Sequence, residues 1–101
     1  MKREIKLSKR TMRKLDSLLV YLEKEWSTNA KHEFVMKLDK SLEQIQKLPD
    51  SFPESEKIRG LRKCVLTKQT TLFYKYSETT IDVITIFDNR QNPKSLKKET
   101  K

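Results

Sequence analysis

The strongest constraint on the fold is an apolar, strand-forming run near the carboxyl end of the chain, which reads IDVITI over residues 81–86. Its apolar side chains alternate on two sides at once. Ile81 and Val83 lie on one side of an extended chain, and Ile84 and Ile86 lie on the other. A strand that is apolar on both sides is typical of the middle of a sheet. The run therefore predicts a central strand around which the other elements pack.

Two more strands are predicted upstream of this run. Residues 72–76, LFYKY, are rich in strand-forming aromatic side chains, and the polar residues 77–80 separate them from the central strand, which predicts a hairpin. Residues 58–66 mix apolar and basic side chains and contain the only glycine, Gly60. We predict that they form a strand that turns through residues 67–70 into the hairpin.

The first half of the chain carries two helical patterns. Ser8 can cap the first helix, and Ser27 or Thr28 can cap the second, which Pro49 ends. Apolar residues recur at spacings of three and four in both, which is typical of amphipathic helices, and we expect Trp26 in the core. The apolar positions are Met12, Leu15, Leu18, Leu19, Leu22 and Trp26 in the first helix, and Ala30, Phe34, Val35, Leu38, Leu42, Ile45 and Leu48 in the second.

A short apolar run at residues 4–7 adds a first strand, and the loop at residues 49–57 leads from helices to sheet. The predicted fold is α+β with two layers: a helical hairpin packed on a mostly antiparallel four-stranded sheet, in the order β-α-α-β-β-β. We expect one domain over residues 1–101, with 94–101 a flexible basic tail. The helices cover one sheet face only. The register of the strands decides which side chains point to the uncovered face, and a slip of one residue would invert that choice.

The charge of the chain points to an acidic partner. The 23 lysines and arginines outnumber the 14 aspartates and glutamates, giving a formal charge of +9. Basic residues cluster in residues 1–14 and 57–68. Such clusters favour nucleic acid or an acidic protein as partner, whereas the alternative is a lysine-rich surface that only keeps the protein soluble.

Several classes of site are excluded by the residue inventory. The chain has one cysteine, Cys64, which allows no intramolecular disulfide and favours a reduced, cytoplasmic setting. No apolar run is long enough for a membrane span. His32 and Cys64 alone cannot hold zinc, and one glycine cannot form a phosphate-binding loop. We therefore expect no metal site, no cofactor and no contact with a membrane.

A basic and aromatic set remains as the candidate binding surface. On a sheet face, arginine and lysine can hold phosphates while tyrosine stacks on bases, and a suitably placed acid and base could cleave RNA. The alternative is that the tyrosines are ordinary strand aromatics and the charges are solvated. The candidate target-binding or nucleic-acid-binding residues are Arg59, Arg62, Lys63, Lys68, Tyr74, Tyr76 and Arg90.

The order of elements and five local patterns resemble the RelE/ParE superfamily of type II toxin-antitoxin toxins, often called plasmid stabilisation proteins. The resemblance covers residues 3–96. It is carried by YLEKEW at 21–26, LPDSFP at 48–53, IRGLRK at 58–63, TLFYKY at 71–76 and IFDNRQNP at 86–93.

The resemblance implies a growth-inhibiting toxin that is neutralised by a cognate antitoxin, whose binding segment is usually acidic. The assembly that it implies is a homodimer or a toxin-antitoxin hetero-oligomer. RelE-like members cleave mRNA on the ribosome, and Arg62, Lys63 and Arg90 stand where basic catalytic groups would. ParE-like members poison DNA gyrase and are not nucleases. Residues 89–101 contain no tyrosine or histidine, the usual proton donor of the nucleases. A ParE-like toxin is therefore favoured; the alternatives are a ribosome-dependent mRNA endoribonuclease or a non-toxic module that binds nucleic acid or protein.

Overall fold

A computed structural model describes residues 2–90 of the chain. Their order confirms the predicted β-α-α-β-β-β arrangement, while the predicted tail at 94–101 lies outside the described residues. The elements are β1 (Glu4–Leu7), α1 (Lys9–Glu25), α2 (Thr28–Lys47), a short 3-10 helix (Pro49–Ser51), β2 (Arg62–Val65), β3 (Thr70–Tyr76) and β4 (Thr80–Asp88). No helix within this part of the chain has the length and apolar character needed to cross a membrane.

Both helices begin at the serines that the sequence indicates. The hydroxyl oxygen of Ser8 accepts a hydrogen bond of 3.1 Å from the backbone N–H of Thr11, and that of Ser27 accepts one of 2.9 Å from Ala30. Each bond satisfies an N–H group that the first turn of a helix leaves without a partner. α2 ends just before Pro49, as predicted.

The four strands form one sheet in the spatial order β1-β4-β3-β2. β1 runs parallel to β4, and the two remaining pairs are antiparallel, so the sheet is mostly antiparallel and β4 is central. The parallel pair arises because the helical hairpin carries the chain back to the end of the sheet at which β1 starts, before β2 begins.

A β-bulge interrupts the pairing of β3 with β4. Phe73 lies opposite Thr85, whereas the next residue, Tyr74, lies opposite Val83, so Ile84 is an extra residue on β4. An inserted residue reverses the alternation of all side chains beyond it. The bulge therefore decides which side of the sheet each half of β4 presents to the helices.

This bulge makes the predicted two-sided alternation of the central strand wrong for Ile86. Ile81, Val83 and Ile86 all belong to the helix-covered core, each at most 3% exposed. Ile84 is 42% exposed. The central strand thus contributes apolar side chains mainly to one face, and its extra residue lies outside the core.

The strand predicted over residues 58–66 is too long. β2 comprises only Arg62–Val65, and the residues before it form a turn in which the N–H of Leu61 donates to the carbonyl of Ile58 at 3.3 Å. Gly60 has a φ of +87°, a left-handed conformation that favours glycine. The single glycine therefore ends a turn, and the strand starts two residues after it.

The core lies between the helices and one sheet face. Two expectations about the first helical stripe are wrong, because Met12 is 53% and Trp26 57% exposed. Trp26 follows the last residue of α1, where the chain leaves the helical path. The buried cluster comprises Leu18, Leu22, Phe34, Leu38 and Ile45 from the helices, and Cys64, Leu66, Leu72, Tyr74, Ile81, Val83 and Ile86 from the sheet region.

The first half of α1 covers the sheet edge that β1 leaves open. β1 ends with Leu7 opposite Val83, so the remainder of β4 has no strand on that side. The hydroxyl of Thr11 donates to the carbonyl of Ile84 at 2.9 Å. An uncovered strand edge has unpaired backbone groups, and the helix beside this edge provides a hydrogen-bond donor for the carbonyl of Ile84. α1 therefore reaches the sheet face opposite the core.

Candidate functional site

The sheet face opposite the core carries several basic side chains around one buried aromatic ring. Pairing places Lys63, Phe73 and Thr85 in one row across β2, β3 and β4. A second row holds Lys75, Asp82 and Lys6 from β3, β4 and β1. We call these six residues the open face. Directly paired residues point to the same side of a sheet, so the two rows present their side chains together.

α1 closes one side of the open face and forms a groove there. The ammonium group of Lys14 donates a hydrogen bond of 2.9 Å to the hydroxyl of Thr85. Arg10 lies one helical turn before Lys14 and also lines the groove, whose volume is about 230 Å³. Leu61 and Ile58, from the turn before β2, form its opposite wall.

The electrostatic character of this surface is positive. Among residues 2–90, its basic side chains come from β1, α1, β2 and β3, and the acids Asp82 and, at the margin of β1, Glu4 lie beside them. The floor is apolar, with Phe73 only 4% exposed. A surface of separated cations around an apolar floor can bind a polyanion through phosphates or carboxylates. The basic residues are Lys6, Arg10, Lys14, Lys63 and Lys75.

The structure separates the three residues considered as catalytic groups. Lys63 lies on the open face, while its neighbour Arg62 pairs with Tyr74 and points to the helix side. Arg90 follows β4 at another end of the sheet. Consecutive strand residues point to opposite faces, so Arg62 and Lys63 cannot converge on one reacting group while both belong to β2.

The remaining sequence candidates are distributed around the molecule. Arg59 and Lys68 are exposed in the turns on either side of β2. Tyr74 is fully buried, and its hydroxyl donates to the carbonyl of Pro49 at 2.5 Å. Burial raises the pKa of Tyr74 to about 12, although the nearby charge of Arg62 acts in the opposite direction. Tyr74 is thus part of the core, where its ring meets that of Phe52 edge to face at 6.4 Å.

Tyr76 is partly exposed and lies between two arginines. The guanidinium carbon of Arg3 is 5.7 Å from the centre of its ring, and that of Arg62 is 5.8 Å away. Arg62 also donates to the carbonyls of Asp50 at 3.2 Å and Phe52 at 2.6 Å. These contacts lie at the corner beyond the end of α2, next to the short 3-10 helix, and Tyr76 is 37% exposed there.

Arg90 is held by a buried carboxylate. Its Nε donates to Oδ1 of Asp88 at 3.1 Å and its Nη2 donates to Oδ2 at 2.6 Å, while Asp88 also accepts from the hydroxyl of Thr70. Burial by itself would raise the pKa of Asp88, but the hydrogen bonds from Arg90 and Thr70 outweigh it and lower that pKa. The guanidinium carbon lies 5.2 Å from the ring centre of Trp26.

The candidate residues derived from the sequence omit much of this basic surface. Arg10 and Lys14 belong to the basic cluster of residues 1–14, and their spacing of four places them on one face of a helix. That signal could have identified them. Nothing in the sequence indicates that Arg3 lies beside Tyr76, because this contact depends on the parallel pairing of β1 with β4.

Within residues 2–90, no three side chains among histidine, cysteine, aspartate and glutamate group as metal ligands would. Cys64 is buried, and burial raises the pKa of its thiol despite a hydrogen bond with Ser41.

Comparison with known proteins gives matches in structure but not in sequence. No protein-family model matches the chain. No curated protein matches it in sequence either.

Several solved structures share the fold. A chain of the chromosomal ParDE toxin-antitoxin system from P. aeruginosa matches with a TM-score of 0.70 and 13% identity, covering 85% of this chain and 95% of that one. The toxin RelE of E. coli, solved in the free state as a variant with two arginines replaced by alanine, gives 0.59 and 11%, covering 99% and 95%. A chain of the E. coli DinJ-YafQ toxin-antitoxin complex gives 0.52 and 16%, covering 91% and 98%. These neighbours confirm that the chain has the fold of the RelE/ParE superfamily toxins.

Proposed function

We propose that this chain is the toxin component of a type II toxin-antitoxin module, that a cognate antitoxin neutralises it, and that its target is DNA gyrase. The observation that supports a toxin most directly is the shared fold, which extends over 85% to 99% of the chain in the ParDE, RelE and YafQ comparisons. The local sequence patterns at residues 21–26, 48–53, 58–63, 71–76 and 86–93 support the same proposal independently.

The charge distribution supports an acidic antitoxin as partner. Two of the structural neighbours come from toxin-antitoxin systems, ParDE and DinJ-YafQ. The formal charge of +9 favours association with an acidic chain, and five basic side chains lie on the open face or line its groove. Such a module would act in the cytoplasm.

Two observations favour gyrase over mRNA as the target. Arg62 and Lys63 lie on opposite faces, and Arg90 is paired with Asp88. Residues 89–101 contain neither tyrosine nor histidine, so the sequence offers neither of the usual proton donors after β4.

The second candidate is a ribosome-dependent endoribonuclease, and the α1 groove supports it. Lys14 and Arg10 line that groove, and Lys63 lies in the same row as Thr85. Cations in a groove can hold the phosphates on either side of a cleaved bond and stabilise the charge that develops during cleavage.

Inducible expression in a bacterial host tests the toxin proposal. We expect growth arrest that is relieved when the short reading frame beside the gene is co-expressed. Charge reversal by Lys63→Glu on the open face is expected to weaken the arrest, whereas Lys40→Glu, on an exposed site of α2, serves as the matched control. Normal growth of cells that accumulate the folded wild-type chain would contradict the proposal.

Two biochemical assays separate the targets. Purified chain is added to a gyrase supercoiling reaction and to a translation reaction that contains a labelled message. Inhibited supercoiling with intact message supports the gyrase proposal, and cleaved message with normal supercoiling supports the endoribonuclease. Salt-sensitive binding to RNA or to an acidic protein, with neither inhibition nor growth arrest, would indicate the non-toxic binding module instead.

A further inference from the structure

Arg3, Arg62 and Tyr76 form a cationic corner on the helix side of the sheet, separate from the open face. Tyr76 is 37% exposed, and both guanidinium groups lie against its ring. Two like charges at one ring repel each other, and each cation-π contact contributes only about 0.5 to 1 kcal/mol at an exposed site. An anion that contacts the guanidinium groups at the edge of the ring would offset that repulsion.

Most hydrogen bonds of the two arginines go to backbone carbonyls. Arg3 donates through Nε to the carbonyl of Ser77 at 2.8 Å and through Nη1 to that of Gln46 at 3.4 Å. Arg62 uses Nη1 for the carbonyls of Asp50 and Phe52. Each guanidinium has five N–H groups, and these bonds use Nε and Nη1 of Arg3 and Nη1 of Arg62. Because a carbonyl is neutral, these hydrogen bonds do not balance the formal charge of either arginine.

A carboxylate already lies at the margin of this corner. Oε1 of Glu54 is 3.9 Å from Nη2 of Arg62, and the Glu54 side chain is 81% exposed. An exposed ion pair at this distance contributes little free energy and is easily displaced. A backbone bridge to Arg62 places Glu54 there, so its carboxylate is a nearby and weakly held competitor for Arg62.

We propose that Arg3, Arg62 and Tyr76 form a binding site for a carboxylate side chain of an acidic polypeptide, and that Glu54 competes for it. The planar fork of arginine matches the two oxygens of a carboxylate, and the hydroxyl of Tyr76 can donate to the same group. The identification of that polypeptide with the antitoxin rests on the proposed function, whereas the site itself does not.

The surroundings favour a peptide over a nucleic acid as occupant. Leu48, two residues before the Asp50 carbonyl that Arg62 binds, is 59% exposed, and Phe52 is half-buried beside the same arginine. Apolar groups next to paired cations suit a segment that alternates acidic and apolar side chains. Within residues 2–90 the lysines of the open face lie on the opposite side of the sheet.

Fluorescence anisotropy with a labelled peptide of alternating glutamate and leucine tests the site on the isolated chain. We expect Arg3→Gln and Arg62→Lys each to weaken binding by about five- to tenfold, because each removes a charge-assisted or fork-shaped contact. Tyr76→Phe should weaken it by about two- to threefold, since it keeps the ring and removes the hydroxyl. Glu54→Gln should tighten binding by about twofold, since the exposed competitor is removed.

Lys40→Gln is the matched control, because it removes one positive charge from an exposed position of α2. Equal weakening by Lys40→Gln and Arg3→Gln would show that net charge alone attracts the peptide and would overturn the site. An unchanged affinity of Glu54→Gln would overturn the competition. Stronger binding of a labelled oligothymidylate than of the peptide, lost in Arg3→Gln and Tyr76→Phe, would overturn the acidic polypeptide as occupant.

The binding experiment and the growth experiment fail independently. A chain that binds the peptide through Arg3 and Arg62 but does not arrest growth would retain the site and lose the toxin assignment. A chain that arrests growth but binds the peptide equally well in all variants would retain the toxin assignment and lose the site.

Discussion

The molecule contains two arginine-aromatic pairs that look alike and differ in what neutralises the arginine. The guanidinium carbon of Arg62 lies 5.8 Å from the ring of Tyr76, and that of Arg90 lies 5.2 Å from the ring of Trp26. Arg90 also forms a two-bond ion pair with Asp88, whose side chain is 2% exposed. Arg62 has two backbone carbonyls and a distant, exposed glutamate.

Arg90 therefore stabilises the fold through an ion pair, whereas the charge of Arg62 is not balanced by a close carboxylate. The ion pair at Arg90 joins the end of β4 to Thr70 at the start of β3 and to the turn between the helices. Its charge is balanced within the pair. The carbonyls around Arg62 fix the chain after α2 to the sheet and leave a net positive charge at the surface. We therefore expect the Arg90 end to dominate stability and the Arg62 end to dominate binding.

Asp88→Asn tests the Arg90 end and should have the largest effect on stability. Removing the carboxylate leaves a partly buried arginine without its counter-charge, so we expect a loss of about 3 to 5 kcal/mol in the free energy of unfolding. Urea unfolding followed by circular dichroism measures it. The double variant with Arg90→Gln is the control, and it should be more stable than Asp88→Asn alone because no unpaired charge remains. A loss below about 1 kcal/mol would contradict the structural role.

The same ion pair predicts how stability falls in acid. The pKa of Asp88 is lower in the folded chain than in the unfolded chain, so the unfolded chain takes up this proton first as pH falls. The contribution of Asp88 is therefore complete above about pH 4 and is lost as pH decreases through the folded pKa. Unfolding free energies measured from pH 6 down to pH 2.5 should decline more steeply in the wild type than in Asp88→Asn. Parallel curves would contradict this prediction.

Tyr74→Phe tests the Arg62 end, where the hydrogen-bond acceptors are neutral carbonyls and not a carboxylate as at the Arg90 end. The change leaves the carbonyl of Pro49 without its buried donor, so we expect a loss of about 1 to 2 kcal/mol, smaller than that of Asp88→Asn. Because the pKa of Tyr74 is raised to about 12, its contribution is complete below about pH 10 and declines as pH rises toward 12. Tyr74→Phe should remove that alkaline component, and an equal decline in both proteins would contradict its assignment to Tyr74.

The sequence predicted those parts of the fold that depend on local signals. Ser8 and Ser27 cap the helices because a hydroxyl at that position meets the first N–H groups, whatever the rest of the chain does. The extra residue Ile84 has no such signal. Apolar residues at 81, 83, 84 and 86 fit a regular two-sided strand as well as a bulged one, and the pairing with β3 decides between them.

The candidate sites depend even more on long-range pairing. The assignment of Arg62 and Lys63 to opposite faces follows from strand alternation, but which of them faces the helices depends on the register with β3. The Asp88 to Arg90 pair spans two residues, yet Trp26 and Thr70 reach it only through the packing of α1 and β3 against β4. Only the completed sheet distinguishes the ion-paired Arg90 from Arg62, for which we propose a binding role.

Trp26→Ala should have the smallest effect on stability and tests whether the two aromatic rings differ in role. Trp26 is 57% exposed and its contact with Arg90 adds to an ion pair that is already complete, so we expect a loss of about 0.5 to 1 kcal/mol. Binding of the acidic peptide should not change, because the charge of Arg90 is balanced by Asp88.

Tyr76→Ala should cause a similar loss in the free energy of unfolding but weaken peptide binding by about fivefold. It removes both the hydroxyl and the ring that holds two arginines in place. Urea unfolding and peptide anisotropy on both variants measure this contrast, and equal loss of peptide affinity in Trp26→Ala would show that the two ends do not differ in the availability of their charge.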